Sequence, residues 1–178
     1  MKINNDPYMY HGGDTRFTII EPKYMLLDTS NAQEGIGIYF GNYATASSYG
    51  KYVMRAKLDK RKFVASDAFL GDSVDLDDLV KLLKVLQRKK AEEFFYTVSD
   101  WVYVETEDDV TDDKIVEYAE QIHGELMGYF TTDLAMRFGV ETFVKAWNKH
   151  IPYVHGTYTK EYGGYFAVMN TNYKLDVI

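Results

Sequence analysis

The stretch GIGIYFGNYATASSY, residues 35–49, decides how the rest of the chain is read. Two glycines precede an aromatic pair, Tyr39 and Phe40, and a second tyrosine, Tyr49, closes the stretch. Three readings compete: a glycine loop around a phosphate, an ordinary strand and helix, or a wall that holds a flat ring. Gly35, Gly37 and Gly41 space as G-x-G-x-x-x-G, one residue off the dinucleotide fingerprint, and no acidic residue closes a second strand of a βαβ unit. No glycine is followed by Lys-Ser or Lys-Thr, which removes the phosphate loop of the nucleoside triphosphatases. The strand and ring readings remain.

Around this stretch, from Tyr8 to about Val64, short apolar and aromatic runs alternate with glycine and polar clusters: YMYHGG, FTII, GIYF and YVMRAKL. Such runs predict strands. From about residue 73 to 150 the period lengthens to that of helices. Leu76, Leu79, Val80, Leu83 and Leu86 form one stripe behind the acidic start DSVDLDD. Ile115, Tyr118, Ala119, Ile122 and Leu126 form a second after Thr111, and Leu134, Phe138, Phe143, Val144 and Trp147 a third, divisible at Gly139. WVYVET, between the first two, reads as a strand. After Pro152 strand patterns return in YVHGTYT, YFAVMN and YKLDVI, with a turn at KEYGG. The predicted class is α+β: a single domain over 1–178, with sheet from about 8–65 and 152–178 and a helical insert over about 73–150.

Composition narrows the chemistry. At 178 residues, 46% hydrophobic and 16% aromatic, the chain can bury one sizeable core. A net charge of -7 and a pI near 5.1 argue against direct nucleic-acid binding, which needs clustered lysine and arginine. The one basic run, Arg88 to Lys90, falls where a helix ends and cations complement its dipole. With no cysteine there are no disulfides, thiolate nucleophiles or cysteine-held metals, which fits a reducing, cytoplasmic setting. No apolar run approaches a membrane span, so a soluble protein without a membrane partner is expected.

Metal and hydrolase motifs are missing as well. His11, His123, His150 and His155 sit in no H-E-x-x-H frame, and the acidic clusters lack the glycine and terminal glutamate of a calcium loop. There is no G-x-S-x-G. What remains is a constellation: Tyr10-His11-Gly12-Gly13, then Gly37-Ile38-Tyr39-Phe40, then Tyr49, then an acid near the last hairpin. An imidazole can bond a sugar hydroxyl, a glycine lets backbone groups approach an amide, and two tyrosines can sandwich a cationic ring. Taken singly, Tyr39 and Phe40 also read as strand core and Tyr49 as a helix anchor.

YHGG, GIYF followed by A-x-x-Y, and a strand ending the chain after a hairpin resemble the ADP-ribosyltransferases of the diphtheria-toxin and poly(ADP-ribose) polymerase type, whose ordered signature is histidine, tyrosine and usually glutamate. The resemblance covers roughly residues 8–65 and 152–178 and leaves the helical middle unmatched. It implies a split antiparallel sheet with a helical insertion. It also implies that His11 binds the nicotinamide ribose of NAD, that Gly12 holds the carboxamide through its backbone, and that Tyr39 and Tyr49 pack the ring. Tyr49 falls one residue short of the family spacing. VHGTY offers a rival histidine, His155, but the family order puts histidine before tyrosine. Where relatives carry glutamate before the last long strand this chain has Gly164 and Tyr165; Glu161 is the nearest acid and the expected catalytic one, beside its plainer reading as a solvated turn residue.

The activity so implied is NAD-dependent mono-ADP-ribosyl transfer to a macromolecular acceptor, with a protein as the expected one, and NAD as substrate. His11 and Tyr39 would position the reacting ring and Glu161 would stabilise charge on the ribose. No metal is required. Small effectors of bacteria and bacteriophages, anti-CRISPR enzymes among them, belong to the same superfamily. Two alternatives stay open: a catalytically inactive module that keeps the fold as a binding or inhibitor protein, and an NAD glycohydrolase.

Overall fold

A computed structural model describes residues 6–25, 35–160 and 164–178. Among them, seven strands and six α-helices follow one another in the sequence-predicted order of strands, helices, strands. The strands are β1 (Met9–Gly13), β2 (Ile38–Phe40), β3 (Tyr52–Ala56), β4 (Phe63–Ala65), β5 (Gly156–Thr159), β6 (Tyr165–Val168) and β7 (Asp176–Val177). They form two sheets, one ordered β1-β3-β7 and one β2-β6-β5-β4, so both ends of the chain contribute to each. All pairings are antiparallel except β4 with β5, which is parallel and departs from the expected all-antiparallel arrangement. The reason is topological: the long helical excursion between β4 and β5 lets the chain re-enter the sheet in the same direction.

The helices are α1 (Tyr43–Ala46), α2 (Leu76–Lys89), α3 (Ala91–Ser99), α4 (Asp112–Ile122), α5 (Met127–Phe138) and α6 (Val140–His150). Their ends follow local chemistry. Asp75 caps α2 by accepting from the Asp77 and Asp78 N–H groups, and Asp77 and Asp78 in the first turn with Arg88 and Lys89 in the last complement the dipole. Thr111 caps α4 in the same manner. Gly139, at φ +89°, ends α5 and starts α6, a backbone state that side chains with a Cβ resist. Leu79, Leu82, Leu83 and Leu86 of α2 are fully buried, each worth about 2 kcal/mol of gross transfer free energy. They join Phe138, Phe143 and Trp147 in one hydrophobic cluster that runs from Phe17 through the helices to Leu175.

Three expected strands turn out differently. FTII forms no ladder: Phe17 and Ile20 are buried, and Ile19 makes a single bridge to Lys174 before Pro22 stops the run. WVYVET is not a strand, because α3 and α4 offer it no sheet edge; its Val102 is buried and the chain then enters a turn capped by Thr106 and Asp109. Of YKLDVI only Asp176 and Val177 join a strand ladder, with Arg55 and Met54, while Lys174 makes the lone bridge to Ile19. Among the described residues no helix is long and apolar enough to cross a membrane.

Candidate functional site

β1 is the edge of its sheet and meets β2 of the other at one point. Tyr10 donates to the Gly41 carbonyl at 2.9 Å and accepts from the Gly41 N–H at 2.8 Å. Beyond that pair the sheets part. In an antiparallel ladder, successive residues turn their backbone groups to opposite sides. Since Tyr10 points toward β2, Gly12 does too. The β3 side agrees: Val53, opposite Gly12, gives its carbonyl to the Ile178 N–H instead of to β1. The N–H and C=O of Gly12 therefore face the split.

His11 lies between these two residues. Its ring packs against Phe17 and Phe40, with centroids 5.4 and 5.8 Å away, and its Nδ1–H donates to the Tyr39 carbonyl at 2.9 Å. Burial pushes this imidazole below the ordinary histidine value of 6.5, and the bond to Tyr39 offsets that only in part. At neutral pH the ring is thus uncharged. With Nδ1 carrying the proton, Nε2 is left as an acceptor, next to Gly13.

Tyr39 occupies the face of β2 opposite the buried Ile38 and Phe40, and its hydroxyl donates to the Gly35 carbonyl at 2.6 Å. Gly35 and Gly37 serve this geometry. Gly35, at φ +103°, lies so near Thr157 that a Cβ would come within 2.4 Å of its Oγ1; one on Gly37 would come within 2.6 Å of the Val168 nitrogen. Both permit the chain to lie directly on β5 and β6.

α1, capped by Asn42, crosses β1. A Cβ on Gly12 would stand 1.7 Å from the Ala46 carbonyl oxygen, and one on Gly50 would stand 2.7 Å from the Gly13 Cα. Tyr49 leaves the helix with its N–H on the Ala46 carbonyl and so flanks Gly13, its side chain 66% exposed. His11, Gly12 and the backbone of Tyr39 thus meet where β1 and β2 touch, and α1 brings Tyr49 beside Gly13, while the Tyr39 side chain lies on the face of β2 opposite the Phe40 ring that packs against His11. His155, the rival, sits elsewhere: β6 separates its strand from β2, and its Nδ1 pairs with the Tyr173 hydroxyl at 2.6 Å. Glu161 lies outside the described residues. Among the described residues, Tyr165 pairs with Thr159, and its ring comes within 3.6 Å of the Cβ position of Gly41.

Sequence reading missed Phe17, which backs His11 and stacks on Tyr24 at 4.5 Å and 14°. An alternating strand pattern in FTII hid it; an aromatic five residues before a proline-led turn was the available signal. No family model, curated protein or solved structure matches the chain.

Proposed function

We propose that the chain is an NAD-dependent mono-ADP-ribosyltransferase, built on a split two-sheet domain of the ADP-ribosyltransferase type with residues 73–150 as its helical insertion. One observation carries the reading. A neutral imidazole with a free acceptor, a glycine backbone turned outward, and a tyrosine strand bonded to that imidazole all border the same split.

In this reading the Gly12 N–H and C=O hold the nicotinamide carboxamide, His11 Nε2 accepts from a hydroxyl of the adjoining ribose, and the Tyr39 and Tyr49 rings border the pyridinium. The C1′–N bond breaks with its electron pair going to the pyridinium nitrogen, so nicotinamide leaves neutral and C1′ becomes cation-like. A carboxylate by the 2′-hydroxyl stabilises that charge more than it stabilises bound NAD. Glu161 is assigned that part. The acceptor then supplies the electron pair for the new bond at C1′ and loses its proton.

Incubation with NAD should release nicotinamide, and labelled NAD with a bacterial lysate should leave label on macromolecules. Glu161→Gln should slow release at least about tenfold. Release without transfer would point to a glycohydrolase, and no release to a binding module that keeps the fold. Full activity in Glu161→Gln would remove that residue from the mechanism.

A further inference from the structure

The helical half of the chain carries the negative charge of the molecule. Residues 73–150 hold 17 acidic and 9 basic residues, while the remainder holds 10 and 11. Lys114 is the only basic residue among twelve acids in 91–125. The same segment exposes aromatic rings. Tyr96 on α3 is 55% exposed, and Trp101 and Tyr103 just after it are 38% and 75% exposed. Rings of this size out in water signal a contact surface when they are held in place, as Trp101 and Tyr103 are. The backbone N–H of Trp101 donates to the Val98 carbonyl at 2.9 Å, the Trp101 ring lies 6.4 Å from that of buried Tyr118, and Val102 beside it is buried. Tyr103 donates its hydroxyl to the Glu105 carboxylate.

Next to them, Asp100 and Asp133 share one cation, the Arg137 guanidinium, at 3.7 and 3.0 Å. Two carboxylates against one guanidinium leave this spot negative. An exposed indole and phenols among carboxylates attract a cationic side chain in two ways, through the ring faces and through Coulomb attraction. The same charge repels nucleic acid, an anionic membrane and a second copy of this chain.

We propose that this face, formed by the outer side of α3, the segment 100–105 and the Asp133–Arg137 side of α5, docks a lysine- and arginine-rich segment of a partner protein. It uses no residue of the split between the sheets and does not depend on the reading of that split.

The test titrates the full chain with a short peptide of alternating lysine and arginine at physiological salt, where loose long-range attraction is screened. Trp101 reports binding, because the other tryptophan, Trp147, is fully buried. A saturable change in emission is expected. Tyr96→Ala with Tyr103→Ala should weaken binding about tenfold or more, since aromatic and cation–π contacts of this kind are worth on that order together. Asp100→Asn should weaken it as well, whereas Asp176→Asn, in the sheet half, should leave it within about twofold, as expected for a screened distant charge. All variants should keep the wild-type melting temperature. No binding, or equal binding by the double tyrosine variant, or an equal loss in Asp176→Asn, would overturn the proposal. Nicotinamide release from NAD, measured in parallel on the tyrosine variant, should equal wild type; its absence in both proteins would count against the pocket and not against this face.

Discussion

Gly12→Ala should lower the melting temperature by about 6–12 °C, corresponding to roughly 3 kcal/mol for a chain of this size. The added methyl would sit 1.7 Å from the Ala46 carbonyl oxygen and 2.7 Å from its carbon. Neither group is the mobile end of a side chain, so α1 or β1 has to move. α1 is a single capped turn that leads into Tyr49, and β1 is fixed by its pairing with β3 and by the Tyr10–Gly41 exchange. A shift of either disturbs the junction of β1 and β2. Gly13→Ala supplies the control. Its methyl would meet only His11 Nε2, at 3.3 Å, so the melting temperature should fall by no more than about 3 °C, the cost of about 1 kcal/mol of crowding. Circular dichroism melts of the two variants measure the contrast. Equal melting temperatures would mean that α1 does not rest on Gly12.

His11→Gln should reduce nicotinamide release about a hundredfold, the typical loss when a positioning group is displaced by an ångström or so. Glutamine can still donate an amide N–H toward the Tyr39 carbonyl, so the buried acceptor need not lose its partner. It cannot reproduce a planar ring held between Phe17 and Phe40 with an acceptor nitrogen at fixed height above Gly13. The loss should appear in kcat more than in KM, because the proposed ribose contact would serve the departing charge more than the bound ring. Steady-state release across NAD concentrations reads both constants. An unchanged kcat would take His11 out of the reaction.

Much of this arrangement was legible in the residues. The leucine and aromatic stripes at helical spacing became α2, α4, α5 and α6, and the helix break appeared at Gly139, because periodicity records which face must be buried. The sequence offered His11, Gly12, Tyr39 and Tyr49 only as a set of types in order; that β1 and β2 touch at Tyr10 and Gly41, which puts His11 on the Tyr39 carbonyl, depends on pairing across the chain, which no local pattern encodes. Strand existence failed where burial imitated it. FTII and WVYVET carry alternating apolar residues, but strands require a partner edge, and one gained a lone bridge while the other gained none. The parallel β4–β5 pair also lay beyond reach, being set by where the helical excursion returns. That Gly12 leaves room for α1 could not be read from YHGG at all.

Because Gly12 leaves room for α1, its substitution would mix packing with the proposed carboxamide contact, and direct observation of its amide separates the two. In a 15N–1H spectrum of the unmodified protein titrated with nicotinamide, the Gly12 amide should shift saturably, together with His11, Gly13 and the backbone around Tyr39. Shifts confined to other parts of the molecule, or none at all, would contradict a nicotinamide pocket between the two sheets.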